Sequence, residues 1–231
     1  MYGYYDSNYF VYMIISVLIS MYAHFKVQFA FSKYSKIKCR NGMTGRETAN
    51  LVLSENGVSK VEIHVISGHF SDHFDPRKNS IFLSKNVYSE NSISAIGVAA
   101  HEAGHAVQNS KAYLPIKIRQ SLVPITQIGS NLAMPLVMIG LLLPTQYNFV
   151  LNFGIILFSI AVIFQIVTLP VEFDASKRAI VALENLGSFS DEEIEGAKKV
   201  LKAAALTYIA AAFTSILSLI RLILLSRRRE D

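Results

Sequence analysis

Apolar residues run along this chain in four long stretches that carry almost no charge. An α-helix needs about 20 apolar residues to cross the hydrocarbon core of a bilayer, and each stretch approaches or reaches that length. Only Pro144 and a few polar residues after it separate the second stretch from the third, a pattern that predicts a membrane hairpin. The four stretches are residues 9–25, 123–143, 149–169 and 203–225.

The first and last stretches each allow two interpretations. Residues 1–8 contain no Lys or Arg, so the basic start of a secretory signal is missing and an uncleaved membrane anchor is favoured. The last stretch contains Arg221 and ends in three arginines at 227–229. A fourth membrane span is predicted there, and a helix that lies against the hairpin without crossing is the alternative.

A more polar block lies between the first two stretches. Thr44, followed three residues later by Glu47, predicts a capping box, and Gly57 suits the left-handed position after a helix end. Alternating polar and apolar residues then indicate strands, and a longer apolar run indicates a buried helix. The predicted elements are a helix from Thr44 to about Asn56, strands at 61–66 and 79–84 with a loop at 68–76 between them, and a helix at 92–109.

The segment after the hairpin is predicted to be helical. Pro170 is expected to end the third membrane helix, because proline cannot donate the next helical hydrogen bond. A polar helix at 171–186 follows, with Gly187 after its end. Ser190 and Glu193 form a second capping box, which starts the last helix.

These patterns together predict a fold class and an order of domains. The fold class is a mainly α membrane protein with about four transmembrane helices and a small α+β domain. The predicted domains are an N-terminal anchor at 1–25, the first part of the α+β domain at 41–120, a transmembrane hairpin at 121–169, the second part of the α+β domain at 170–202, a C-terminal membrane helix at 203–226 and a basic tail at 227–231.

The helix at 92–109 contains a His-Glu-x-x-His motif, formed by His101, Glu102 and His105. Histidines four residues apart lie on one helix face and can bind the same Zn²⁺. Zinc lowers the pKa of a bound water to about 7, and a neighbouring carboxylate can take its proton. His101 and His105 are therefore predicted metal ligands and Glu102 the catalytic base, with a chance match of core histidines as the alternative.

Catalytic zinc has three protein ligands, so a third is needed. His24 lies in the predicted anchor, and His69 and His73 lie in the loop at 68–76. Glu172 opens a helix directly after a membrane stretch, where the motif histidines are also expected. Glu172 is the favoured third ligand, with a glutamate that only caps a helix N-terminus as the alternative.

Five short stretches carry a resemblance to a known family. They are residues 72–76 (Asp-His-Phe-Asp-Pro), 83–84, 87–88, 98–108 and 172–176 (Glu-Phe-Asp-Ala-Ser). In them the chain resembles the bacterial membrane-bound neutral zinc metallopeptidases, over nearly its whole length. It is more distantly similar to the heat-shock and CAAX-processing membrane zinc peptidases, in which a later Glu-x-x-Ala-Asp helix supplies a ligand. The resemblance implies that the small α+β domain, formed by 41–120 and 170–202, is zincin-like and catalytic. It further implies a gluzincin-like peptidase with one Zn²⁺ per chain on His101, His105 and Glu172.

Ser176 departs from that more distant pattern, which has aspartate at this position. The departure predicts the loss of a carboxylate that would orient a metal ligand, unless the helix presents Asp174 in its place. His73 and Asp75 are further candidates, as an electrophile or as groups behind the ligands, and a structural turn explains them equally well. The strand near 81–83 is a candidate for substrate binding by strand addition, although a plain core strand is favoured.

Composition and charge support a membrane protein. Hydrophobic residues make up 52% of the chain and charged residues 17%, against about 25% charged in soluble domains. The net charge of +5 comes from residues that flank apolar stretches, which suits lipid headgroups and not nucleic acid. Cys39 is the single cysteine, so an intrachain disulfide is excluded.

Lys and Arg also predict an orientation in the membrane, since they favour the cytoplasmic side. They concentrate around the predicted zinc domain and are missing from residues 1–8 and from the hairpin turn. The N-terminus is therefore expected outside the cell membrane and the catalytic domain in the cytoplasm. A full fourth span disagrees, because it would put the arginines at 227–229 outside.

The predicted function is that of a membrane-embedded zinc endopeptidase. It would hydrolyse peptide bonds in membrane or membrane-proximal proteins through a zinc-activated water, with the bilayer and a protein or peptide substrate as partners. The alternative is a catalytically silent membrane scaffold or partner-binding protein with a structural zinc site. Glu102 favours the enzyme, because a purely structural zinc site needs no general base.

Overall fold

The computed structural model describes residues 7–230, so the first residues of the predicted anchor and Asp231 lie outside it. The described chain is mainly helical, with one small sheet. Its elements are α1 Ser7–Tyr34, α2 Gly45–Glu55, β1 Glu62–Ile66, β2 His73–Asp75, β3 Ser80–Ser84, α3 Lys85–Ser89, α4 Ile93–Ser110, α5 Leu114–Leu142, α6 Asn148–Asn185 and α7 Asp191–Glu230.

Four of these helices are long and apolar enough to cross a membrane. They cover all four apolar stretches of the sequence, and each extends beyond the stretch that predicted it. The predicted class, a mainly α membrane protein with about four transmembrane helices and a small α+β part, is confirmed. The candidate spans are Phe10–Tyr34, Leu114–Leu142, Thr145–Asn185 and Asp191–Arg229.

The prediction that Pro170 ends a helix was wrong. Helix α6 continues without a break from Asn148 to Asn185 and contains Pro170 in its interior. Proline removes one helical hydrogen bond, but long apolar helices tolerate that local loss because the turns on both sides stay bonded. The predicted polar helix at 171–186 is therefore the second half of α6, and Glu172 lies inside this helix and does not cap one.

The capping predictions, which depend on short-range contacts, are confirmed. The Thr44 backbone N–H donates to the Glu47 carboxylate over 2.8 Å, and the Glu47 backbone N–H donates to the Thr44 hydroxyl over 3.3 Å. Ser190 and Glu193 form the same reciprocal pair at the start of α7. Positive φ angles, which favour glycine, occur after α2 at Gly57 and after α6 at Gly187.

The chain divides into two compact units. The first contains Met1–Ala23, Ile118–Leu169 and Thr207–Asp231, and the second contains His24–Lys117 and Pro170–Leu206. In the first unit α5 and α6 pack closely at Gly140, where a Cβ would lie 2.5 Å from the Leu151 backbone nitrogen. Glycine allows such an approach between membrane helices.

The end of α7 also packs in the first unit. The Ser226 hydroxyl donates to the Asn152 side-chain oxygen over 2.5 Å, and the Arg229 guanidinium donates to the carbonyls of Gly140 and Leu143. Arg229 thereby binds the free carbonyls at the C-terminal end of α5. The end of the fourth apolar helix therefore lies beside the turn of the hairpin.

The second unit contains a three-stranded sheet in the order β1–β3–β2. Strand β3 pairs in parallel with β1 and antiparallel with β2. Ile81 and Leu83 belong to the hydrophobic core that this sheet shares with α2 and α4, and the half-buried Ile63 packs against that core. The predicted loop at 68–76 contains β2, which corrects that prediction. Strand β3 is central and both of its edges are paired, so the favoured explanation, a core strand, is confirmed and a substrate strand cannot add there.

Candidate metal centre

Helix α4 carries the His-Glu-x-x-His motif through the core of the second unit. The Ser92 hydroxyl caps its start by accepting a hydrogen bond from the Ala95 backbone N–H over 3.3 Å. Along its buried faces the residues are mostly small, which lets other elements pack close to its backbone. The buried alanines are Ala95, Ala99, Ala100, Ala103 and Ala106.

Helix α6 packs closely against α4 at Gly104. A Cβ on Gly104 would lie 2.6 Å from the Ala175 carbonyl oxygen, closer than any real Cβ contact. Only glycine fits there, so this crossing depends on the residue between the two motif histidines. The close approach brings Glu172 and Ser176 of α6 to the histidine face of α4.

His101, His105 and Glu172 converge into one cluster. The Glu172 Oε2 atom lies 3.2 Å from His101 Nε2 and 3.5 Å from His105 Nε2, and the three ligand atoms all lie within 4.8 Å of one another. Ligand atoms about 2.0–2.1 Å from a tetrahedral zinc are about 3.3 Å apart. The two nitrogen donors and one oxygen donor therefore have the chemistry of a zinc site, and the oxygen lies from each nitrogen at about the spacing that a tetrahedral site needs.

Gln108 orients His105. Its side-chain amide donates to the Val171 carbonyl and to the Asp174 carboxylate, each over 2.8 Å. These two acceptors fix the direction of the amide, so its oxygen faces His105 Nδ1 at 3.0 Å and accepts that N–H. His105 Nε2 then keeps its lone pair for a metal. Asp174 therefore acts on His105 only through Gln108.

Ser176 takes the corresponding position beside His101. Its hydroxyl lies 3.1 Å from His101 Nδ1 and can accept the N–H, which leaves Nε2 facing Glu172. A partner behind a metal-binding histidine is usually a carboxylate, a carbonyl or water. Replacement of aspartate by serine thus removes a charge but keeps an oxygen beside this histidine. Asp174 instead pairs with Gln108 and Arg178.

Glu102 is buried, with 7% of its surface exposed. Burial raises the pKa of its carboxyl group to about 7, the positive field of His101 acts in the opposite direction, and the charges of Glu172 and Asp72 add to the increase. Among residues 7–230, no group forms a hydrogen bond with this carboxylate. A buried carboxylate without such a partner is costly to keep, which favours a role in chemistry over a role in folding.

The remaining predicted site residues, His73 and Asp75, lie on β2. His73 is exposed, stacks on Phe82 and hydrogen-bonds through Nδ1 to the Ser71 carbonyl at 2.8 Å. Asp75 accepts the backbone N–H of Arg77 over 2.9 Å, as expected for a side chain that stabilises a turn. This contact agrees with the alternative explanation, in which Asp75 stabilises a turn.

Sequence reasoning did not single out Gln108 or Asp72. Gln108 lies three residues after His105, hence on the same face of α4, and an amide at that spacing from a motif histidine was an available signal. The structure shows that this amide is fully buried. Asp72 accepts the backbone N–H of Ser84 over 2.7 Å and faces its hydroxyl at 3.2 Å, which fastens β2 to the end of β3. That contact joins segments twelve residues apart, and no local pattern predicts it.

Replacing Gly104 with alanine is expected to destabilise the protein, because the added methyl group collides with the Ala175 carbonyl. Overpacking of this kind costs about 1–3 kcal/mol, so we expect a lower thermal unfolding midpoint. The matched control is Gly129→Ala, where a new Cβ would lie 3.6 Å from the Leu157 carbonyl oxygen, an ordinary contact. Equal unfolding midpoints for the two variants would contradict the close crossing at Gly104.

Comparisons with known proteins agree with this centre. The sequence profile of the family described as "Putative neutral zinc metallopeptidase" matches residues 9–227. The protein described as "Putative membrane protease YugP", from Bacillus subtilis (strain 168), is 43% identical over 223 residues, which cover 96% of this chain and 98% of that relative. No solved structure matches the chain. Since both matches include the metal cluster and the apolar helices, the chain belongs to this family of zinc metallopeptidases.

Proposed function

We propose that this protein is a membrane endopeptidase that binds one zinc ion per chain through His101, His105 and Glu172. The observation that carries the proposal is the convergence of these three ligand atoms, at the spacing of a tetrahedral zinc site, on the helix that also presents Glu102. The substrates are membrane or membrane-proximal proteins. This follows because Glu172 lies only three residues after the apolar stretch that ends at residue 169.

Glu102 is the general base and then the general acid of the proposed reaction. When bound, Zn²⁺ supplies a Lewis acid that acidifies water and polarises the peptide carbonyl. Glu102 takes a proton from the attacking water as the water oxygen bonds to the carbonyl carbon. It returns this proton to the amide nitrogen as the C–N bond breaks, which leaves an amine and a carboxylic acid that still holds the second proton of the water. Burial opposes the charged form of Glu102 and so raises the proton affinity of its carboxylate, which favours its action as a base.

A substrate strand has a place at the edge of the sheet. Strand β2 pairs with β3 on one side only, and it packs against α4, which carries Glu102. An extended peptide that adds to the outer edge of β2 would gain backbone hydrogen bonds next to the metal centre. Strand addition, first considered for β3, is therefore assigned to β2.

The catalytic domain is proposed to face the cytoplasm. Lys and Arg flank the apolar stretches on the side of the metal centre far more often than at the hairpin turn. The arginines at the end of α7 remain an exception to this rule. Arg229 has a structural explanation of its own, because its guanidinium donates to the carbonyls of Gly140 and Leu143 at the end of α5. The basic residues on the catalytic side are Lys26, Lys33, Lys36, Lys38, Arg40, Lys111, Lys117, Arg119, Lys177, Arg178, Lys198, Lys199 and Lys202.

Removing the metal tests the proposed function. The full-length protein, purified in lipid nanodiscs, is expected to cleave an unfolded protein such as casein, to lose this activity after treatment with a chelator, and to regain it when Zn²⁺ is added back. The fragments, identified by mass spectrometry, should have new termini that require hydrolysis of internal peptide bonds. If the zinc-loaded protein leaves casein and membrane-anchored peptides intact, the scaffold alternative is favoured instead.

A further inference from the structure

Helix α5 exposes a line of two amide side chains and two methionines on the side that faces away from α6. The seam consists of Gln127, Asn131, Met134 and Met138, and we call it the amide seam. All four side chains are exposed, with 53% of Met134 and 56% of Met138 accessible. Their spacing of four, three and four residues places them on one narrow line along the helix, as in a coiled-coil interface.

The two amides of this seam lie in the charge-free stretch. Asn131 is eight residues beyond residue 123, where the apolar stretch begins, and at 1.5 Å per residue this is about 12 Å into a hydrocarbon core of about 30 Å. Within residues 7–230, neither the Gln127 nor the Asn131 side chain has a hydrogen-bond partner. Lipid supplies none, so the isolated chain would carry a substantial penalty for both amides.

Pro135 removes one backbone hydrogen bond at the same level. It lies inside α5 and has no N–H, so the Asn131 carbonyl lacks the bond that an ordinary residue four positions later would donate. The other side of α5 is already packed, with Ala133 and Val137 buried. The two side-chain amides therefore lie on the face of α5 that residues 7–230 leave open, whereas the Thr126 hydroxyl of the same helix is buried.

A second copy of the chain fits this seam better than an unrelated helix. Two copies inserted with the same topology run parallel, and a two-fold axis along the membrane normal places each seam residue opposite its own counterpart. A side-chain amide contains both a donor and an acceptor, so Asn131 can pair with Asn131 and Gln127 with Gln127. Polar residues at such seam positions also fix the register and the number of helices.

We propose that the protein forms a parallel homodimer in the membrane through the amide seam of α5. Reciprocal amide hydrogen bonds at Gln127 and Asn131 hold the two helices in register, and the flexible side chains of Met134 and Met138 fill the contact between them. This dimer is independent of the peptidase activity, because none of the seam residues belongs to the metal centre.

Cysteine cross-linking of the full chain in lipid vesicles tests the dimer. In a Cys39→Ala background, Met134→Cys and Met138→Cys keep both amides and place a thiol on the seam. The matched controls are Leu132→Cys and Ile139→Cys, which replace residues of similar exposure off the seam, at 49% and 50%. Under mild oxidation we expect a band of twice the 25.7 kDa chain mass for the seam variants only, because a disulfide requires Cα atoms about 4.4–6.8 Å apart.

A second variant tests the amides themselves. Replacing Gln127 and Asn131 together with leucine keeps the helix apolar and is expected to weaken self-association about tenfold, measured by energy transfer between labelled copies in vesicles. Leu132→Ala is the control and should leave association unchanged. Two results in vesicles would overturn the dimer: equal cross-linking on and off the seam, or no doubled band from folded protein. If the same cross-linking is done in cell membranes, adducts of the seam variants with a different protein only would overturn it as well.

Discussion

Replacing Glu102 with glutamine is expected to abolish peptide hydrolysis while leaving the metal bound. The substitution keeps the size of the side chain and removes only its ability to take a proton. General base catalysis contributes about 10²–10⁴-fold to such reactions, so kcat should fall by at least that range. His101, His105 and Glu172 remain unchanged, so zinc content per chain, measured by mass spectrometry of the metal, should equal that of the wild type.

The control for this variant is Glu195→Gln, which also removes one carboxylate. Glu195 is exposed on α7 and lies 3.8 Å from Lys199, a surface pair whose loss has little effect. Wild-type rates from Glu102→Gln would disprove its role as the base. A loss of zinc together with activity would instead mean that Glu102 supports the metal site, so both measurements are needed.

The elements that depend on neighbouring residues could be predicted from the sequence. The capping boxes at Thr44 and Ser190 involve residues three apart, and composition alone identifies the four apolar stretches. Strand β2 could not be predicted, since it has three residues and exists through its pairing with β3. The predicted helix end at Pro170 was wrong because it considered only the missing N–H of proline. The long apolar helix continues on both sides of Pro170 and tolerates that missing bond.

The candidate site divides in the same way. The helical period alone puts His101 and His105 on one face, and Glu102 follows from the motif. That Glu172 reaches them depends on the crossing of α4 and α6 at Gly104, which is a tertiary contact. The hydrogen bond behind each histidine is also a tertiary contact. Ser176 hydrogen-bonds to His101, whereas comparison with a motif that has aspartate at this position predicted only the loss of an orienting carboxylate.

Replacing Glu172 is expected to remove zinc binding. Its carboxylate is 3% exposed and lies within 3.5 Å of both histidine nitrogens, so it is the one carboxylate of the proposed ligand cluster. For Glu172→Ala the zinc dissociation constant should rise by more than the 10–100-fold that is typical when a group behind a ligand is lost. Gln108→Leu, which removes such a group behind His105, should fall within that smaller range. Competition with a chelator dye measures both constants in the purified protein.

Thermal unfolding with and without zinc separates lost ligation from lost folding. A metal that binds only the folded state raises the unfolding midpoint in proportion to its affinity, so the wild type should gain stability from added zinc and Glu172→Ala should not. Glu172→Gln, which keeps the side-chain volume, guards against a folding defect, and Glu184→Ala removes an exposed carboxylate from the same helix as a control. If Glu172→Gln and Glu172→Ala both gain stability as the wild type does, while His101→Ala does not, the third ligand is another residue and the proposed cluster fails at this position.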